Sequence, residues 1–334
     1  MSTARESAVR LLQWMMIASV VLPTALFTYA SWVSYRDVHA VTDERIGRSL
    51  DVMQEQALKV FQTVDRTFAE VDEILRGMSD EDIRVDQPRL HERLARIVAT
   101  MPQLYGILLV DRGGRPLAAS TLAAVPDGVL FNDRDYFQAQ LEHDAGTYVS
   151  DMRSPRLPGI DTDFFDLSRR LATRDGSFGG VIAVAVRPPY FEDFYALIGQ
   201  TPGSFFSLVR DDGSILARFP LVPDRSQKLS PNSGLRSAIS RGSNHGLYTI
   251  ESEIDGVSRR IGFRRLPGFP VYALAGVTGA ASRAEWLSHM GTYLFVGLPA
   301  TLLVFIVLWV ALRRTRRLYE EADRREAAEG ALRQ

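Results

Sequence analysis

The chain has 334 residues, enough for two modest domains and additional segments. Its formal net charge of −1 leaves no excess of basic residues for a nucleic-acid-binding face, so no nucleic-acid partner is expected. It contains no cysteine, which excludes a disulfide framework, a thiolate metal site and a cysteine nucleophile.

The apolar surplus lies at the two ends. Residues Leu11 to Val33 carry no charged side chain. At about 1.5 Å per residue such a helix covers roughly 34 Å, against a hydrocarbon core of about 30 Å. Pro23 falls mid-span, where a kink is tolerated in a membrane, and Trp14, Tyr29 and Trp32 fall near the ends, where amphipathic rings collect. A cleaved signal peptide is the competing reading, with Ala30 among the small residues near a cleavage site. The run is long for that and reads as an uncleaved anchor. A second uncharged run, Tyr293 to Leu312, is followed by Arg313, Arg314, Arg316 and Arg317, while Arg5 and Arg10 precede the first. Positive flanks on the outer side of both spans predict two cytoplasmic termini, with residues 34–288 outside a bacterial inner membrane.

From Tyr35 to Leu75 a polar helix carries one apolar seam: Ile46, Leu50, Met53, Ala57, Val60, Val64, Thr67, Val71 and Ile74. Their mean spacing of about 3.5 residues suits a helix lying along a partner. The partner is the chain's own sheet, a second copy of the same helix, or both along different turns. In a homodimer through this seam and the exit helix, aspartates at Val60 and Val64 would weaken association. Residues 77–90 read as a break, and Pro88 to Thr100 as a helix.

Tyr105 to Val110, the turn Asp111-Arg112-Gly113-Gly114, and Arg115 to Ser120 form a hairpin signature. The pattern returns later, with Val110 matching Val209 and Gly114 matching Gly213, and the apolar strands starting at Val181 and Val271 also correspond. Two ordered similarities predict a duplicated unit, at about 104–187 and 204–277. Between them, Arg187 to Gly199 reads as a short helix after its prolines. Leu221 to Gly242 reads as loop and short helix, and Gly246 to Glu253 and Ser258 to Leu266 as strands joined at Asp255-Gly256. After Val277 the chain is helical through the second span into a charged tail rich in helix formers. The tail ends at Gln334 without a stop signal, as expected of the front portion of a longer protein.

Four motifs carry a family resemblance: Asp133-Arg134-Asp135-Tyr136-Phe137, Leu167-Ser168-Arg169-Arg170, the glycine-flanked Gly176 to Gly180, and Tyr190 to Tyr195. With two spans and a duplicated sheet unit, residues 35–277 resemble the double Cache family of extracytoplasmic sensor domains. The resemblance implies an α+β fold, a long N-terminal helix followed by two tandem PAS-like (Cache) antiparallel-sheet modules, flanked by two transmembrane helices. It divides the chain into a cytoplasmic N-terminus (1–10), a first transmembrane helix (11–33), a long helix and lead-in (34–103), a membrane-distal module (104–199), a membrane-proximal module (200–280), an exit helix with the second transmembrane helix (281–312) and a cytoplasmic signalling helix (313–334). The tail lacks the proline-marked HAMP pattern of most chemoreceptors. That points to a histidine kinase output, with a diguanylate cyclase or chemoreceptor as alternatives.

The resemblance places a small-molecule ligand in the distal module. Arg134 is the leading contact, because its planar fork matches a carboxylate and the neighbouring Tyr136 and Phe137 offer an aromatic wall. Pairing with Asp133 or Asp135 is the alternative. Tyr148, Asp151 and, more weakly, Arg153 fall in a region that lines the family's pocket. Alternation from Phe164 to Arg170 puts Asp166, Ser168 and Arg170 on one face, making Ser168 and Arg170 contacts if that face meets the pocket. Amino-acid-binding members carry an acid in the closing strand, where this chain has Ala185, so a carboxylate or another anion is expected instead. The lipid bilayer is the other expected partner, and no cofactor is implied. The histidines His39, His91, His143, His245 and His289 share no metal-ligand spacing, and there is no nucleophile elbow or phosphate-cradling loop, so no catalytic or metal site is assigned. A paired-carboxylate hydrolase, which needs no local motif, stays the remote enzymatic alternative.

Overall fold

The computed structural model describes residues 2–173, 176–222, 228–252 and 254–332. Glu253, the end of an expected strand, and residues 223–227 of an expected loop lie outside them. The chain divides into two compact units, Met1–Thr42 with Ser282–Gln334, and Asp43–Ala281.

The first unit holds the front of α1 (Ser2–Leu75) and most of α7 (Gly279–Leu332), both long and apolar enough to cross a membrane. Their apolar side chains are exposed, Leu26 and Phe295 among them. The Trp286 indole N–H donates to the Ser31 carbonyl at 3.2 Å. The Arg313 guanidinium lies 4.1 Å from the Trp309 ring, a cation–aromatic contact at the charged end of the second apolar run.

The second unit is built on the rest of α1, which contains no proline beyond Pro23. Its seam is buried from Ile46 to Val71, with Ile74 half-buried. The seam packs on this chain's own two sheets and on α3 (Gln87–Ala99), so the intramolecular partner accounts for it. The opposite face carries Glu44, Arg48, Asp51, Glu55, Lys59, Arg66, Glu70 and Glu73, all exposed, with Val41 and Val52 exposed beside them. The break expected at 77–90 is instead partly helical. α2 (Asp80–Val85) starts at a capping box in which Ser79 and Asp82 satisfy each other's backbone N–H groups.

Two five-stranded antiparallel sheets follow. The first contains β1 (Leu104–Asp111), β2 (Pro116–Ala119), β3 (Tyr148–Val149), β4 (Phe165–Ala172) and β5 (Phe178–Val186), with α4 (Asp135–Glu142) between β2 and β3. α5 (Pro188–Ile198) leads to β6 (Ser204–Arg210), β7 (Ile215–Phe219), α6 (Gly234–Ser240), β8 (His245–Glu251), β9 (Ser258–Arg265) and β10 (Val271–Thr278). The strand orders are β2-β1-β5-β4-β3 and β7-β6-β10-β9-β8, the same path walked twice. The duplication reaches the register: each opening hairpin slips once, at Leu109/Val110 and at Leu208/Val209. The glycines closing those hairpins have φ of 84° at Gly114 and 94° at Gly213. A Cβ at Gly114 would also stand 2.6 Å from the Asn132 backbone nitrogen, so the turn and the chain crossing above it both require glycine.

One face of each sheet packs on the helices, and the other carries its own apolar cluster. The closing strands β5 and β10 are therefore buried on both faces, which is why they read as unbroken apolar runs. The helix runs close over β9, where a Cβ at Gly262 would meet Ile46 Cγ2 at 2.6 Å. Polar ties fix its rotation: Asp43 takes both arms of Arg260 at 3.0 Å, and the Thr147 hydroxyl donates to Asp65 at 2.6 Å.

A Val64→Asp substitution is thus expected to destabilise the fold itself by about 3–5 kcal/mol, the cost of an uncompensated buried charge, at every protein concentration. Urea unfolding across a dilution series measures this. A midpoint that depended on concentration would place Val64 at an interface between chains.

Candidate functional site

The outer face of the first sheet is roofed by the segment from Ser120 to Arg134 and by the connection from Ser150 to Phe164. Beneath them lies about 490 Å³ of empty space, counting its solvent-open mouth. Small residues on two adjacent strands make the room: Gly106 of β1, and Ala183 and Ala185 of β5. Leu108, Phe131, Leu157 and Ile160 give an apolar wall, and Arg134, Arg153, Arg156, Tyr136 and Asp166 the polar one.

The three arginines differ in what holds them. Arg156 is neutralised: it grips both oxygens of Asp133 at 2.6 and 2.5 Å and donates to the Leu130 carbonyl. That hydrogen bonding pulls the Asp133 carboxyl down to about 2. Arg153 is buried, lies 4.7 Å from the Tyr136 ring, and pairs with Asp135 and Asp166. Burial opposes its charge, yet those two carboxylates hold its pKa above the ordinary arginine value. Arg134 stands at the N-cap of α4 and donates to the Ser154 carbonyl at 3.1 Å. Its Nε is buried without a partner, and no ion pair reaches it among the described residues. Burial first, then the Arg153 and Arg156 charges, lower its pKa. The cavity therefore holds one guanidinium with unspent charge and hydrogen-bonding capacity.

Asp166 is the acid of the site. It is 4% exposed, and its strand position pairs directly with Ala185. The acid absent from the closing strand is present one strand over, where alternation puts Asp166 on the cavity face. Arg153 Nε is 3.2 Å away but does not direct its N–H at the carboxylate. Burial pushes the Asp166 carboxyl up to about 6, with Arg153 opposing.

Of the residues singled out in the sequence, Arg134, Tyr136 and Arg153 line the cavity. The other five do not. Phe137 packs beneath α4 against Phe178. Ser168 and Arg170 lie on the expected face of β4, but under α4: Gln140 Nε2 contacts the Ser168 carbonyl at 3.1 Å, and Arg170 donates to the Gln140 carbonyl at 2.8 Å. Tyr148 and Asp151 turn toward Arg210 of β6. Asp166 and Arg156 were missed as site residues, although the period-2 alternation already placed Asp166 on the polar face. Nothing local marks Arg156.

At the matching place in the second module, larger side chains stand among the described residues. The pairs Val110↔Val181 and Val209↔Tyr272 align the two sheets strand by strand, one residue off the correspondence of Val181 with Val271 expected from the sequence. Gly106, Ala119, Phe164, Asp166 and Ala183 then correspond to Phe205, Arg218, Arg259, Ile261 and Leu274. Phe205 occupies the position left open by Gly106, with the guanidiniums of Arg218 and Arg259 4.9 and 5.1 Å from its ring. Asp255 pairs with both arginines.

The raised pKa of Asp166 sets a pH dependence of stability. A carboxyl near 6 when folded and about 3.9 when unfolded binds more protons in the folded state between those values. Stability is expected to fall by about 2 kcal/mol as pH rises from 4 to 7 on this account. Asp166→Asn should flatten that part of the profile in urea unfolding. An unchanged profile would mean that Asp166 titrates normally.

Residues 188–276 match the family model dCache_1_like, described as a histidine kinase sensor domain. A search of curated proteins returns no match. Among solved structures, the chain is similar to the extracellular domain of rpHK1S-Z16, assigned as a histidine kinase, with 24% identity, 74% of this chain and 98% of that chain covered, and a TM-score of 0.62. The corresponding domain of soHK1S-Z6 aligns at 11% identity over 75% of this chain and 99% of that chain, with a TM-score of 0.56. The sensory domain of the Campylobacter jejuni chemoreceptor Tlp3, solved with isoleucine bound, aligns at 16% identity over 75% and 98%, with a TM-score of 0.51. The sheet order and the repeated register give this chain the fold of those extracellular sensor domains, and residues 188–276, which run from α5 into β10, match the histidine kinase sensor model.

Proposed function

We propose that the first module binds a small carboxylate with an apolar body, and that the chain reports its presence across a bacterial inner membrane. The observation that carries this reading is Arg134, a half-buried guanidinium without an ion pair among the described residues, set beside an apolar wall. The carboxylate meets the Arg134 fork, and its hydrocarbon part displaces water from Leu108, Phe131, Leu157 and Ile160. In this reading Asp43–Ala281 lies outside the membrane, both termini lie in the cytoplasm, and α7 carries the signal inward. The histidine kinase match of residues 188–276 favours a kinase output over a cyclase or chemoreceptor one. A ligand shifts the receptor only by its difference in affinity for the two signalling states.

Calorimetric titration with pentanoate tests the site. Arg134→Ala should weaken binding by about 30-fold or more, the loss of about 2 kcal/mol from a charge-assisted hydrogen bond. Undiminished pentanoate binding in that variant would overturn the assignment.

One observation favours a second reading, a ligand that also carries an ammonium group: Asp166 faces the cavity opposite Ala185. The pH dependence separates the two. Asp166 loses its charge below about 6, so pentanoate affinity should rise between pH 7 and pH 5 as a repelling carboxylate is neutralised. Norvaline, with the same carbon chain and an added ammonium, should bind more weakly than pentanoate at pH 7. Tighter binding of norvaline that fades below pH 6 would establish the zwitterion instead.

A further inference from the structure

The cavity's ionic groups do not end at its wall. Arg153, which lines the cavity beside Asp166, pairs with Oδ1 of Asp135. The other oxygen of that carboxylate, Oδ2, is 3.4 Å from a terminal nitrogen of Arg210, at the end of β6 in the second module. Arg210 is nearly buried and holds fast to its own module: its Nε and second terminal nitrogen grip both oxygens of Asp212 at 2.9 and 2.7 Å. Toward the first module it donates to the Val149 carbonyl at 2.9 Å, and it lies 2.6 Å from Asp151, whose oxygen its N–H does not address squarely. The Tyr148 hydroxyl stands 3.4 Å from both Asp135 and Arg210. The matching position in the first module is Asp111, which pairs locally with Arg84. The cross-module reach thus belongs to the second copy alone.

Asp135 is thus contested by two guanidiniums, one from the cavity and one from the other module. Arg153 donates directly to one oxygen of the carboxylate, whereas Arg210 stands 3.4 Å from the other. Buried ionic groups of this kind are strongly interdependent, since removing one charge changes what its neighbours can hold.

We propose that Asp135 is the shared carboxylate that couples the cavity to the second module. An anion held by Arg134 brings its negative charge beside the neighbouring Arg153, which loosens the Arg153–Asp135 pair and lets Asp135 close on Arg210, drawing β6 toward the first module. Loss of the anion restores the grip of Arg153. This ligand arm rests on the carboxylate reading above, whereas the coupling through Asp135 exists without a ligand and can be measured without one.

The test is a thermal-unfolding cycle on the 334-residue chain in detergent micelles, with Asp166→Asn, Arg210→Gln and the double variant. No hydrogen bond or ion pair joins Asp166 to Arg210 among the described residues. Independent sites would therefore give additive shifts in Tm. The expected result is that the shift caused by Asp166→Asn changes by about 2 °C or more when Arg210 is replaced, and that this difference disappears in an Asp135→Asn background. Additive shifts, or an interaction that persists without Asp135, would overturn the proposal. Should Arg210→Gln fail to fold, Arg210→Lys keeps the charge but cannot hold Asp212 and Asp135 at once, and the same cycle applies. No ligand enters the measurement, so its failure is distinct from a failure of pentanoate to bind.

Discussion

The fold depends on one apolar stripe along one helix. From Ile46 to Val71, α1 covers the same face of both sheets, and that single contact turns two separate five-stranded sheets into one body with a shared core. A sheet covered by a helix on one face still has a second face to close. All the functional character of this chain follows from how that second face is closed in each module.

In the first module, closure is by loops over strands that carry small residues. Gly106, Ala183 and Ala185 leave a space that the roof does not fill, and the polar groups left there are arginines and one buried acid. In the second module Phe205 and Leu274 stand where Gly106 and Ala183 do and Ile261 stands where Asp166 does, all three within one apolar cluster, while Gly276 matches Ala185. Duplication of the backbone thus preserved the frame while a few side-chain volumes divided the tasks, one module with an open cavity and one with a filled core. The arginines show the same division. Arg218 and Arg259 share Asp255 around an aromatic ring, whereas Arg134 has no ionic partner among the described residues.

In the proposed sensor the cavity must also be linked to something else. Here the two modules meet through polar as well as apolar groups, and Arg210 stands at that boundary. Apolar packing through α1 holds the modules rigidly in one core, but it discriminates poorly between two arrangements of nearly equal burial. Ion pairs in a half-buried setting are more selective, because a change of an ångström or two in separation alters their energy substantially. That is the physical reason for the proposed coupling element to be built from Arg153, Asp135 and Arg210 rather than from more leucine and valine.

Much of the architecture was legible from local pattern. The uncharged apolar runs, the seam of α1, the glycine hairpins and the two rhyming closing strands each follow from a periodicity or from a turn that only glycine supports, and such signals survive without knowledge of the fold. The alternation along β4 was equally readable, and it placed Asp166, Ser168 and Arg170 on one face. What alternation does not say is which part of that face is open. Ser168 and Arg170 lie beneath α4, and Asp166, two residues earlier, lies beneath the cavity, a difference set by where a helix from elsewhere in the chain comes to rest. The destination of the arginines was likewise undecided. Arg134, Arg153 and Arg156 are chemically identical and close in sequence, yet one is neutralised by Asp133, one is shared between Asp135 and Asp166, and one has no ion pair among the described residues. Tyr148 and Asp151 belong to Arg210, 59 or more residues further along the chain. The sequence by itself determined the elements, their duplication and the chemical types available to the site, because those depend on spacing and composition. Only the tertiary structure decided which charges cancel and which face the cavity, because a charge pairs with whatever the fold brings within a few ångströms.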